Sequence, residues 1–361
     1  MNDMRHFQFF DVADLQRATR VRRYETKLGE RIHTLGADAP ANWKESLGKD
    51  PAKYVLLGIP EDIGIKANNG AGGASSAWPA FLEAFLNIQS TDAFTGEEIL
   101  LLGAFNFKDI RETIEKNAKS KEEAQQAYRH AVANTVDEEV EELIKNITAQ
   151  KKIPLVIGGG HNNAYPLLKG AAKGWKQSGK SDKPRLNAIN LDAHADFRIE
   201  EGRHSGNPFR YAMNEDFLDR YAVVGLHENY NSQSMMDDLY QNTRIQYTTY
   251  EDIFLRGILS YEQALQLAVT FTKVGMTGIE LDLDAVEQVL SSAQTPCGVS
   301  TLQARQYLWM TASELQPAYL HIAEGAIQTE DGRSSSTTGK LLSYLVSDFV
   351  KGGSGVQPAR S

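Results

Sequence analysis

The sequence predicts an α/β protein: one mainly parallel sheet with helices on both faces. Three observations predict it. Short apolar runs alternate with helical stretches along most of the chain. The runs show no polar alternation, so they read as strands buried on both faces. Three of them lead straight into clusters of metal-type side chains. With 361 residues, 41% of them hydrophobic and 24% charged, the chain is long enough for one large domain or two ordinary ones. No linker-like stretch and no internal repeat divides it. The expected organisation is an N-terminal extension over 1–50 packed on the core, a single domain over 51–351 and a flexible tail over 352–361.

Residues 1 to about 50 are charged and weakly patterned, a helix and loops laid on the core. Tyr54-Val55-Leu56-Leu57-Gly58-Ile59-Pro60 is the first buried strand, stopped by its proline. The glycine-rich stretch from Asn68 to Ala74 leads to a helix holding Trp78, Phe81 and Phe85. It lacks the Lys-Ser/Thr ending of a phosphate loop and the spacing of a dinucleotide fingerprint, so it reads as a substrate-site loop. Ile99 to Gly103 is a second strand, and 109–150 is strongly helical around Val132, Val136, Val140 and Leu143. Ile153 to Ile157 is a strand running into three glycines, and a helix follows over Tyr165 to Trp175. Further strands are read at Leu186 to Leu191, Tyr221 to Leu226, Arg244 to Tyr247, Thr277 to Leu281 and Tyr319 to Ala323. Helices are read at Tyr261 to Thr272 and Thr338 to Val350.

The formal net charge of −9 offers no basic field for phosphates, which argues against nucleic acid as a partner. The single cysteine, Cys297, excludes an internal disulfide and sits in a turn-like Thr-Pro-Cys-Gly without a base to activate it. The first residues lack the apolar core of a signal peptide, and no apolar run reaches the roughly 18 residues of a membrane span. The chain is expected to be cytoplasmic.

Chemistry is concentrated in three segments: Gly158-Gly159-Gly160-His161-Asn162-Asn163, Asp192-Ala193-His194-Ala195-Asp196 and Asp282-Leu283-Asp284. Each follows a strand, and ligands of open parallel sheets gather beyond the carboxyl ends of strands. Continued strand geometry would aim Asp192, His194 and Asp196 the same way, and likewise Asp282 and Asp284. The glycines let the backbone turn tightly before His161. Four carboxylates and two imidazoles exceed what one divalent cation needs and suit two, an arrangement fit for hydrolysis. Carboxylate with imidazole suits Mn(II), Zn, Fe(II) or Co(II), and the absence of cysteine lowers zinc.

From about Tyr54 to the closing helix these segments resemble the ureohydrolases: arginase, agmatinase and formimidoylglutamase. The resemblance implies a three-layer arginase-type fold and two Mn2+ per subunit. One manganese would be held by His161, Asp192, Asp196 and Asp282, the other by Asp192, His194, Asp282 and Asp284, with Asp192 and Asp282 bridging. A hydroxide between the ions would attack the planar carbon of an amidine or guanidinium, with Asp196 orienting it and moving its proton. Glu324, after the last strand, resembles the family glutamate that holds the amidinium. Trimers or hexamers are also implied.

Within the family, the segment after the second cluster carries the substrate choice. Arginases have Asn where Arg198 stands, and a proton-transferring histidine where this chain has Phe209. The arginine after the aspartate and the run Pro208-Phe209-Arg210 look like formimidoylglutamase. Its substrate carries two carboxylates, which the planar fork of arginine binds two-point. Arg198 and Arg210 are therefore expected to hold them, with Ser205 and Asn207 of the neighbouring Ser-Gly-Asn run as further contacts. His204 is a candidate replacement for the missing proton shuttle, and His321 reads as a satisfied core histidine. The expected reaction is N-formimidoyl-L-glutamate plus water giving L-glutamate and formamide, in histidine breakdown. The rivals are a hydrolase of arginine, agmatine or a guanidino acid, a single-zinc deacetylase, and a metal-stabilised scaffold without activity.

Overall fold

The computed structural model describes residues 4–36 and 39–355. Nine strands form one sheet: β1 Phe7–Phe9, β2 Tyr54–Gly58, β3 Ile99–Phe105, β4 Ile153–Ile157, β5 Leu186–Leu191, β6 Leu218–Leu226, β7 Ile245–Thr249, β8 Met276–Asp282 and β9 Gln316–Ala323. Their spatial order is β1-β3-β2-β4-β9-β8-β5-β6-β7. Every pairing is parallel except that of β1 with β3.

β2, β3, β4 and β5 are buried at every residue, as strands covered on both faces must be. Pro154 has no N–H to give, yet it lies inside β4. Pairing of β4 with β9 begins only at Leu155, so the missing donor falls beyond that ladder. Helices Asp137–Ala149 and Ala164–Gln177 pack against each other and reach β4 and β9. Helix Thr338–Gly353 packs between Ala77–Phe85 and Thr301–Glu314, forming the second helical group. The expected strands are all present; β6 and β9 begin three residues earlier than read, and β2 ends at Gly58, short of Pro60.

The structure departs from expectation at four places. The extension over 1–50 contributes a strand, β1, as well as the helix Val12–Ala18. The helical stretch from 109 to 150 is broken near Ala118 and carries a π-turn at Val132–Val136. Helices Pro208–Asn214, Gln233–Gln241 and Thr301–Glu314 stand where the sequence reading places no helix. The closing helix runs on through Gly353, with a turn at Ser354 and Gly355, so the first part of the expected tail is ordered; the rest lies outside the described residues. No helix among the described residues is long and apolar enough to cross a membrane.

Candidate metal centre

β4, β9, β8 and β5 lie side by side in the middle of the sheet, and the chain leaving each of them carries the site. After β4, Gly158 and Gly159 take φ of 88° and 80°, a region that favours glycine, and swing the chain into a short 3-10 turn beginning at His161. After β5, extended geometry ends at Leu191, so the three ligands there are not simply alternate residues of one strand. Asp196 takes a left-handed φ of 46°, unusual for a residue with a Cβ, and this turn brings its carboxylate back to His161. After β8, Asp282 caps the turn Leu283–Ala285 by accepting from the Asp284 N–H at 2.9 Å. Glu324, just past β9, is also left-handed, with φ of 62°. Such strain clusters where side chains must be aimed.

All six expected ligands converge. His161 Nδ1 lies 3.2 Å from Asp192 Oδ2, 2.9 Å from Asp196 Oδ2 and 3.1 Å from Asp282 Oδ2. His194 Nδ1 lies 3.2 Å from Asp284 Oδ2 and 3.7 Å from Asp192 Oδ1. Two donor sets result, His161-Asp192-Asp196-Asp282 and Asp192-His194-Asp284. Asp192 is common to both, while Asp282 groups with the first alone.

This donor set fits divalent cations. His161 Nδ1 and Asp284 Oδ1 are buried without a hydrogen-bond partner. Asp282 is pushed up to about 8 by burial and by the charges of Asp284 and Asp192. Asp196 is pushed up to about 6 by burial and by Asp192. Burial works against protonation of His161 and His194, but the surrounding carboxylates outweigh it and raise both well above the usual imidazole value. The crowding of buried carboxylates is thus what favours protons on these groups.

A cavity of about 310 Å³ opens above these ligands. His194, Asp196, Asp282, Asp284 and Glu324 form its base, and Asn68, Arg198, Ser205 and Tyr230 its walls. Asn68 and Gly70 belong to the glycine-rich loop, which thus borders the cavity. Glu324 is held at both oxygens, by the His161 N–H at 3.0 Å and the Ser292 hydroxyl at 2.9 Å. Burial and the Asp282 charge raise its pKa well above the carboxylate range. Tyr230 stacks on the His194 ring at 5.3 Å.

The expected substrate contacts divide. Arg198 is half-exposed at the cavity wall, donating to Asn68 Oδ1 at 3.1 Å and to Glu201 at 2.6 Å. Ser205 also faces the cavity. Arg210 does not: its guanidinium lies over the Phe197 ring, donates to the Phe197 carbonyl and pairs with Asp238 at 2.5 Å, in a different depression. Asn207 is fully buried and serves the loop, accepting from Arg203 and the His204 N–H and donating to the Gly202 carbonyl. Both assignments are corrected: sequence proximity to the ligands placed Arg210 and Asn207 in the cavity, whereas the helix Pro208–Asn214 and the buried loop before it turn them away. His204 is locked in that same loop. Its Nδ1 accepts from the Gly206 N–H, and burial with the nearby Arg198 and Arg129 charges lowers it to about 4. Phe209 is buried, edge-on to His161 at 5.3 Å and stacked on Tyr221 at 4.2 Å. Tyr230 and Ser292 escaped sequence reasoning, since each is a common loop residue outside the three clusters.

A mainly parallel sheet with two carboxylate–imidazole donor sets beyond the carboxyl ends of its central strands defines a class of α/β proteins with candidate metal sites at the sheet edge. Within that class the chain belongs to the arginase family, whose model matches residues 52–347. A formimidoylglutamase of Macrococcus caseolyticus is 27% identical over 216 residues, 58% of this chain and 65% of that one. One from Rhodococcus jostii is 24% identical over 311 residues, 84% of this chain and 88% of that one. Among solved structures, a Trypanosoma cruzi formiminoglutamase with Mn2+ has a TM-score of 0.65 at 19% identity, covering 92% of this chain and 99% of that one.

Proposed function

We propose that the chain is a formimidoylglutamase, hydrolysing the C–N bond of N-formimidoyl-L-glutamate to L-glutamate and formamide, with two Mn2+ per subunit. The observation that carries this reading is Arg198, a cation at the wall of a cavity whose base is the metal-ligand set and Glu324. One ion would be held by His161, Asp192, Asp196 and Asp282, the other by Asp192, His194, Asp284 and Asp282. Such a pair supplies Lewis acidity, which makes hydroxide available from water at neutral pH.

The chain's own residues do the rest. Glu324, fixed by the His161 N–H and Ser292, accepts from the N–H groups of the planar formimidoyl group and turns its carbon toward the ligands. Arg198 holds a substrate carboxylate, with Asn68 and Ser205 as neutral donors beside it. Asp196 holds the proton of the attacking water and delivers it to the glutamate nitrogen as the C–N bond breaks. Phe209 packs where arginases have a histidine, so no proton passes by that route. A cytoplasmic setting suits the single, exposed Cys297. The assembly in this reading is the trimer or hexamer that the family resemblance implies.

The test is turnover of the manganese-loaded chain on formimidoyl-glutamate, arginine, agmatine and guanidino acids side by side. Formimidoyl-glutamate is expected to be preferred. Preference for arginine or agmatine would overturn the substrate assignment and leave the metal chemistry standing; no turnover of any would favour a scaffold.

A further inference from the structure

Beneath the ligands lies a second buried polar cluster that the reaction as described does not use. β8 and β9 pair in register, with Gly278 opposite Tyr319, Glu280 opposite His321 and Asp282 opposite Ala323. Glu280 is therefore two residues before Asp282 and on the same face of the sheet. It is fully buried. Its Oε1 accepts from the Tyr319 hydroxyl at 2.6 Å, and its Oε2 lies 2.7 Å from His321 Nδ1. Space for the tyrosine exists because residue 278 is glycine: a Cβ there would come within 2.5 Å of the Tyr319 ring.

The same Oε2 faces His161 Nε2 at 3.4 Å. His161 thus stands between two groups of carboxylates, with Nδ1 toward Asp192, Asp196 and Asp282 and Nε2 toward Glu280. Nε2 is buried and has no hydrogen-bond partner of its own. Closing the gap to Glu280 takes only a few tenths of an ångström. A buried carboxylate in a sheet interior is costly, and an aliphatic residue would fill that place at less cost. What a carboxylate does there, and an aliphatic residue cannot, is accept a hydrogen bond from Nε2–H, which keeps the proton on Nε2 and so leaves the Nδ1 lone pair free for a metal.

We propose that Glu280 is the positioning residue that fixes the tautomer and ring orientation of His161 for metal ligation, itself held by Tyr319 and His321. The inference rests on the binuclear reading above. The three residues His161, Glu280 and His321 could also be read as a third cation site. Against that, both Glu280 oxygens already lie within hydrogen-bond reach of ring or hydroxyl donors, and Glu280, His161 and His321 are all fully buried.

The test compares the full chain with its Glu280→Gln and Tyr319→Phe variants. Glutamine keeps the shape but offers an N–H to Nε2, which drives the proton to Nδ1 and closes it to metal. Each protein is stripped with chelator and titrated with manganese chloride, with binding followed by electron paramagnetic resonance. Unfolding of the metal-free forms is measured in parallel. The wild type is expected to take two equivalents and to show the spectrum of a spin-coupled pair. E280Q is expected to take one equivalent normally and the other about 10–100-fold more weakly, with the spectrum of an isolated ion at intermediate manganese. Its metal-free unfolding temperature should fall by no more than about 4 °C, so that a loss of packing is not the cause. Y319F should weaken the same equivalent by a smaller factor, and it decides the matter if E280Q does not fold. Equal affinity for both equivalents in the variants overturns the proposal, as does a metal-free form that loses as much stability as the loaded one. A third equivalent in the wild type, lost in E280Q, would make Glu280 a ligand instead. A wild type that binds no pair at all would sink the binuclear reading first and this inference with it.

Discussion

Arg198 holds Asn68 with one arm and Glu201 with the other, and its side chain, which lines the cavity, is half exposed. Hydrogen bonds to charged groups contribute about 1.5–3 kcal/mol. Arg198→Ala should therefore raise KM for formimidoyl-glutamate roughly 10- to 100-fold while the metals stay bound and kcat changes little. Agmatine, which has no carboxylate, should show no such change. Steady-state kinetics on both compounds checks this, and a loss confined to kcat would remove Arg198 from the carboxylate role. At this scale the candidate ligands are legible, because Asp-x-His-x-Asp and Asp-x-Asp at strand ends are specific patterns, and the structure brings them together. The direction of a flanking side chain is not legible. Arg198 and Arg210 look alike in the chain, and only the helix Pro208–Asn214 decides that one faces the cavity and the other Asp238.

The turn between β4 and its helix shows how an element aims a ligand. At Gly159 an added Cβ would meet the Ile59 carbonyl oxygen and Asn163 Nδ2, each at 2.6 Å, on a backbone already at φ of 80°. Gly159→Ala should cost about 1–3 kcal/mol for the backbone alone and lower the thermal unfolding temperature by several degrees. It should also weaken manganese binding, since His161 is two residues away; calorimetry with and without manganese measures both, and an unchanged unfolding temperature would contradict the steric argument. The run of three glycines ahead of a histidine is legible in the chain as a tight turn. Most strands are legible too, as unbroken apolar runs. β1 is not, because the three residues Phe7-Gln8-Phe9 carry too little pattern, and their partner β3 is remote in the chain. Helix Thr301–Glu314 escapes for another reason: its apolar residues do not segregate to one face, although Ser300 and Gln303 form a capping box that marks its start.

Across the whole molecule, the site sets how stability responds to pH. In the metal-free chain Asp196 and Asp282 titrate near 6 and 8 instead of 3.8, through burial and mutual repulsion, and His161 and His194 are raised as well. The folded chain therefore binds protons that the unfolded chain has already released. Stability from these groups is complete below their unfolded values and is lost as pH rises through their folded ones. Metal-free protein should unfold at progressively lower temperature from about pH 5 to pH 9, while manganese, which needs the ligands deprotonated, should reverse the trend. Scanning calorimetry across that range distinguishes the two slopes; parallel slopes would argue against ions at these residues. The strand order has a further consequence. His161 and Glu324 touch across 163 positions of chain, and β9 lies between β4 and β8 although it is made after both. A ribosome that has delivered β4, β5 and β8 has supplied all six candidate ligands, yet His161 after β4 is still parted from the five that follow β5 and β8, because the place of β9 between β4 and β8 is empty. The donor set His161-Asp192-Asp196-Asp282 is therefore complete only once translation has passed β9, whereas Asp192, His194 and Asp284 follow strands that pair directly with each other.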